Sequence, residues 1–90
     1  MRSAIAAAIV ENGKLLLVKK KNTWILPGGK PRTGESHLEC LLREVGEELS
    51  GTSLTNIRYY ERFTGISPHK GDNIELSVYF ADINGSLNEP

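Results

Sequence analysis

Three glutamates, Glu44, Glu47 and Glu48, with Arg43 beside them, form the tightest acidic cluster in the chain. Spacings of three, four and one let their carboxylates converge on one small volume of a helical face. A cluster of like charges weakens a helix unless something offsets the repulsion. A hard divalent cation that takes oxygen ligands would reverse the penalty. Upstream, Pro27, Gly28 and Gly29 permit close backbone approach and unusual dihedrals. A backbone carbonyl of that loop can therefore turn toward the same cation.

The element that must carry the cluster is an amphipathic helix. Leu38, Leu41, Leu42, Val45 and Leu49 recur as one apolar stripe on a 3.6-residue period. The pattern predicts a helix over residues 36–50. Thr33 or Ser36 supplies the N-cap, and Glu35 favours the positive end of the helix.

Loop and helix together resemble the Nudix hydrolase family, whose motif is G-x5-E-x7-R-E-U-x-E-E-x-G-U, with U a bulky aliphatic residue. Gly29, Glu35, Arg43, Glu44, Val45, Glu47 and Glu48 fall on its spacings. Ser50 stands where the motif has its last glycine, and Gly51 where it has its last aliphatic residue. Gly51 is placed to end the helix one residue late, so the departure touches the helix end rather than the carboxylates. The lead-in Trp24, Ile25, Leu26, Pro27, Gly28 is also similar to the family's.

The resemblance implies hydrolysis of a nucleoside diphosphate linked to another group X, with Mg²⁺ or Mn²⁺ as cofactor. Phosphoryl chemistry asks a protein mostly for positioning and charge stabilisation, and a divalent cation serves both. Carried over by motif, Glu44, Glu47 and Glu48 are the carboxylate ligands and the Gly28 carbonyl is a further one. Glu44 is alternatively the base that deprotonates water. Arg43 and Glu35 pair to lock the loop onto the helix, the supporting role that ligands need. Lys30 and His69 are the candidate substrate contacts, His69 being alternatively just an exposed residue of the 65–72 loop. The rival reading on the same fold is a non-catalytic nucleotide-binding or interaction module.

The implied fold is α/β, a mixed sheet of four or five strands with the motif helix packed on one face. Residues 4–10 and 15–18 read as strands joined through Asn12-Gly13, a strong hairpin signal. Residues 24–26 read as a short strand and 51–56 as a connector. Residues 57–64 and 73–82 read as two strands around a 65–72 loop, the second with a clear period of two. Nudix domains close with a further strand and a second helix. This chain instead reads as turn from residue 84 to 90, so a single domain over 1–90, truncated or reduced at its C-terminus, is expected.

Composition narrows the partners. Ninety residues allow one domain, and 11 basic residues balance 11 acidic ones. There is thus no electrostatic case for a nucleic acid polymer or an anionic membrane. The apolar run 4–10 is too short to span a bilayer. A single cysteine, Cys40, makes no internal disulfide and points to the cytoplasm. Both faces of the last strand carry apolar groups: Ile74, Leu76, Val78 and Phe80 on one, Tyr79 and Ala81 on the other. One helix covers one face, so the other is expected to meet either further residues of a longer protein or a second copy; for this chain alone self-association, most simply as a C2 dimer, is expected.

The remaining polar and aromatic residues take plainer readings. Trp24 reads as core and Cys40 as a half-buried inert thiol near the carboxylates. Lys19, Lys20 and Lys21 read as a solvated strand end; the functional alternative is that one reaches a substrate phosphate. His37 reads as solvated. Glu75 and Asp72 read as paired surface carboxylates, Glu75 being alternatively a further ligand or base.

Overall fold

The longest apolar run of the N-terminal half becomes a sheet strand with neighbours on both edges. The computed structural model describes residues 2–66 and 71–85. Strand β1, Arg2–Glu11, pairs in parallel with β7, Asn73–Gly85, from Arg2↔Ile74 to Ile9↔Ala81. On its other edge lie β2, Lys14–Leu15, and β5, Gly28–Gly29, both antiparallel. Strand β6, Thr52–Ile66, runs antiparallel on the far side of β7, giving the order β2-β1-β7-β6 with β5 also on β1. Strands β3, Val18–Lys20, and β4, Thr23–Ile25, form a separate two-stranded hairpin. The expected mixed sheet with one covering helix is what the chain forms.

Two tight turns punctuate the N-terminal half. Asn12 and Gly13 both have positive φ, 54° and 74°, as a hairpin turn matched to strand twist requires. Lys21 and Asn22 repeat the device at 48° and 65°, a second hairpin that the sequence reading did not anticipate. The expected strand over residues 15–18 is consequently broken. Leu16 donates its N–H to Ile9 O at 2.9 Å, and the chain then turns away to pair β3 with β4.

Helix α1, His37–Glu48, opens on a full capping box. Ser36 Oγ accepts from Glu39 N–H at 3.1 Å, and Glu39 Oε1 accepts from Ser36 N–H at 2.9 Å. Ser36, not Thr33, is therefore the cap. The helix closes with Leu49 N–H donating to Val45 O, and Gly51 follows at φ 87°, the left-handed residue expected there.

The core lies between α1 and the sheet. Ile5, Ala7 and Ile9 of β1, Ala81 of β7 and Leu54 of β6 meet Cys40, Leu41 and Val45. The alanines of β1 let the helix approach closely. Leu38 and Leu42, assigned to the buried stripe from sequence, are instead about half exposed. The helix is rolled so that Leu41 and Val45 face the sheet and the row Cys40, Glu44, Glu48 faces β5. Cys40 is fully buried rather than half-buried.

Other boundaries shift for reasons of pairing. Residues 52–56 are strand rather than connector, because Thr52–Thr55 pair with Asp82–Gly85. Strand β6 likewise runs on through Ile66, and β7 through Gly85, past the turn expected at residue 84. Trp24 is 63% exposed, not core: its hairpin stands apart from the main sheet, and Lys19 Nζ lies 5.9 Å from its ring centroid. Opposite α1, the sheet presents Ala4, Leu76 and Phe63 to a groove, beside Ile66 at the end of β6. Among the described residues no helix is long and apolar enough to cross a membrane.

Candidate active site

The helical row Cys40, Glu44, Glu48, repeating every four residues, lies against the two-residue strand β5. That contact builds the site. Gly28 N–H donates to Glu48 Oε1 at 2.9 Å, tying the carboxylate to the loop. A Cβ on Gly29 would lie 2.6 and 2.7 Å from the two Glu44 carboxylate oxygens, so this close approach needs glycine. Gly28 has φ 151°, and a Cβ there would press on the β1 backbone at Ile5 and Ala6. Cys40 Sγ donates weakly to Gly29 O at 3.7 Å, and burial pushes its thiol pKa up. An inert thiol is the result.

Arg43 joins loop to helix. Its guanidinium grips Glu35 with Nε to Oε2 at 2.7 Å and Nη2 to Oε1 at 2.9 Å. It also donates to Glu44 Oε1 at 2.8 Å and to Lys30 O at 3.1 Å. Glu35 Oε1 accepts a further bond from Arg32 N–H. Arg43 first, and that backbone bond second, hold the Glu35 carboxyl well below its usual range, at about 2. Glu35 first, and Glu44 second, push the Arg43 pKa up. Glu35 is thus a fixed anion that aims Arg43, and Arg43 in turn aims Glu44.

The three cluster carboxylates are not equivalent. Glu44 and Glu48 point to one spot beside the Gly28 carbonyl, and Glu48 is only 11% exposed. Glu47 belongs to the neighbouring helical row with Arg43, is 58% exposed, and reaches Arg43 Nη1 at 3.7 Å. Among the described residues no group of three or more histidine, cysteine or acidic side chains is close enough to hold a metal ion. Lys20, from the run read as solvated, enters the site. Its Nζ lies 2.5 Å from Glu48 Oε2, 3.2 Å from Gly28 O and 4.0 Å from Glu44 Oε2. The missed signal was position: Lys20 ends β3, opposite the Gly28–Gly29 strand.

The donor set fits a hard divalent cation. These ion pairs set Glu35, Glu44, Glu47 and Glu48 against Arg43 and Lys20, four negative charges against two positive. Glu48 Oε2 is buried and makes no hydrogen bond, although the Lys20 ammonium is close by. Buried carboxylate oxygens are rarely left so, and an oxygen-seeking ion is a natural partner for one.

Beside this spot opens a groove of about 810 Å³ that runs over the sheet face opposite α1. Apolar Leu26, Phe63 and Leu76 line it, with Lys20, Lys21 and Lys30 on its edge. His69 lies outside the described residues. Glu75 pairs with Arg62 at 3.8 Å, and Asp72 takes a two-pronged grip from Arg2 at 2.6 Å, so both take their plainer reading. His37 is exposed, with Nδ1 2.9 Å from the Tyr79 hydroxyl.

The NUDIX domain model matches residues 1–90, the whole chain. This chain belongs to the Nudix family. Among solved structures it is similar to a MutT Nudix hydrolase from Burkholderia pseudomallei, at 32% identity and TM-score 0.83, covering 97% of this chain and 71% of that one. The E. coli ORF135 protein matches at 29% identity and TM-score 0.76, covering 99% and 66%. A UDP-X diphosphatase matches at 26% identity and TM-score 0.80, covering 99% and 45%. The chain thus spans from under half to about seven-tenths of the length of these similar proteins. No curated protein matches it.

Proposed function

We propose that this domain is a metal-dependent pyrophosphohydrolase that cleaves the diphosphate linkage of a nucleoside diphosphate bound to a second group, as in nucleoside triphosphates or nucleotide sugars. One observation carries the reading: Glu44, Glu48 and the Gly28 carbonyl converge on one spot at the mouth of a groove wide enough for a nucleotide. The names of the MutT and UDP-X diphosphatase relatives point to the same class.

Glu44, Glu48 and the Gly28 carbonyl would hold Mg²⁺ or Mn²⁺, with Glu47 turning in from its outer row. Bound there, the ion would supply charge neutralisation for the phosphates and an activated water. Arg43 and Glu35 keep the Glu44 carboxylate aimed, whether it serves as ligand or base. Lys30 on the groove edge, and His69, are the proposed contacts to substrate. The apolar floor would take the base or the second group. The partner is a small nucleotide rather than a nucleic acid polymer or a membrane, and the single cysteine favours the cytoplasm.

A panel of nucleoside triphosphates, nucleotide sugars and dinucleoside polyphosphates, incubated with Mg²⁺ or Mn²⁺, tests this. Release of a nucleoside monophosphate, phosphate or pyrophosphate that stops on chelation is expected. Nucleotide binding without turnover anywhere in the panel would overturn it in favour of a binding module.

A further inference from the structure

The Lys20 ammonium touches Glu48 Oε2 and Gly28 O and stands 4.0 Å from Glu44 Oε2. Those are the oxygens that the proposed function gives to a divalent cation. An ammonium at that spot repels a divalent cation and competes with it for those oxygens. The ammonium fills the spot only in part: it donates to Gly28 O at 3.2 Å. Its contact with Glu48 Oε2 is close but lacks hydrogen-bond geometry, and that oxygen stays without a donor. A lysine donates along three directions, so a site shaped for it would use them.

Lys20 is also free to leave. Its side chain is 40% exposed on a flexible four-carbon stem, whereas Glu44 and Glu48 are largely buried. It ends β3, just before the tight turn at Lys21 and Asn22, and it borders the groove as well as the carboxylates.

The geometry points to Lys20 as a built-in competitor for the metal site. In the metal-free protein its ammonium keeps Glu44, Glu48 and the Gly28 carbonyl assembled. A divalent cation binds by displacing that ammonium toward the groove. This rests on the metal reading of the site given above. Displacement lowers apparent metal affinity, because intrinsic affinity is scaled by the fraction of molecules whose site is clear. A purely structural ion pair behaves in the opposite way. Removing it would let the carboxylates splay and would weaken metal binding. The two accounts therefore differ in sign.

The test is Mn²⁺ titration of the full chain without nucleotide, by calorimetry and by the electron-spin signal of free Mn²⁺. Lys20→Met keeps the stem and removes the charge, and Lys20→Gln repeats the removal with a polar side chain. Both variants should bind Mn²⁺ about tenfold more tightly than the parent, as expected if the ammonium holds the site roughly nine-tenths of the time. Lys20→Arg should stay near the parent or weaker. The apo midpoint of thermal unfolding should fall in Lys20→Met, while the Mn²⁺-bound midpoint matches the parent's. Unchanged or weaker Mn²⁺ affinity in both charge-removing variants, folded by circular dichroism, overturns the proposal. If neither parent nor variants bind Mn²⁺, or if Glu48→Gln binds as the parent does, the metal reading itself fails and the competitor role falls with it.

Discussion

Gly29→Ala offers a clean separation of site geometry from fold stability. Gly29 has a backbone conformation open to any residue, unlike its neighbour Gly28. The three atoms nearest an added Cβ all belong to the Glu44 carboxylate: its Cδ, and its oxygens at 2.6 and 2.7 Å. An ordinary contact starts near 3.4 Å. The carboxylate must therefore retreat by about 1 Å, at a cost of roughly 0.5–1.5 kcal/mol in side-chain torsion. That retreat pulls Glu44 Oε1 away from Arg43 Nη1, now at 2.8 Å, and out of line with Glu48. A misplacement of about 1 Å in a catalytic group costs on the order of 100-fold in rate. Metal-dependent turnover should thus fall by roughly two orders of magnitude while stability falls by no more than about 1.5 kcal/mol. The contrast is Gly28→Ala. Its Cβ would lie 2.7 Å from Ala6 Cα at a φ that side chains rarely adopt, and backbone cannot yield. Destabilisation of about 3 kcal/mol or more is expected there. Steady-state kinetics and urea unfolding on both variants check the pair. If Gly29→Ala keeps the parent's turnover, the placement of Glu44 at the chemistry is wrong.

Glu48→Gln should abolish most turnover with little loss of stability, since its amide oxygen can still accept from Gly28 N–H, whereas Glu48→Ala should add about 1–3 kcal/mol by stranding that buried donor. Glu47→Gln, at an exposed position, should leave the unfolding midpoint within about 0.5 kcal/mol of the parent yet weaken Mn²⁺ binding; an unchanged Mn²⁺ titration would remove Glu47 from the ligand set. The Glu35 carboxyl is depressed from 4.5 to about 2, so its contribution is complete above the unfolded value and lost as pH falls toward the folded one. The stability gap between parent and Glu35→Gln should stay flat above about pH 5 and close between 4.5 and about 2 in acid titration followed by circular dichroism. Phe63 and Ile66 leave apolar surface open on the face without a helix, so the 90-residue chain should self-associate, and sedimentation over a dilution series should show a dissociating dimer. A stable monomer that binds no hydrophobic dye would sink that expectation.

The motif residues were legible because their chemistry is written in local spacing. Glu44 and Glu48 sit four apart, and a helix alone puts such residues on one row. Arg43 and Glu35 were paired from the family pattern, and the guanidinium does grip that carboxylate. The strand over residues 73–82 was legible for a similar reason, since a period of two needs no knowledge of the partner. Everything that depended on the roll of the helix was not. A 3.6-residue stripe is wide enough to be seated in several ways. Packing against the alanines of β1 selected the row through Leu41 and Val45, which exposed Leu42 and buried Cys40. That same roll brought Glu48 to the Gly28 N–H and left Glu47 outside. Trp24 was misread because burial depends on whether a second layer covers a hairpin, which no local pattern records. Lys20 was hidden most deeply. In sequence it is the middle of three lysines; only its place at the end of β3, within reach of the Gly28 carbonyl, brings that one ammonium to the carboxylates.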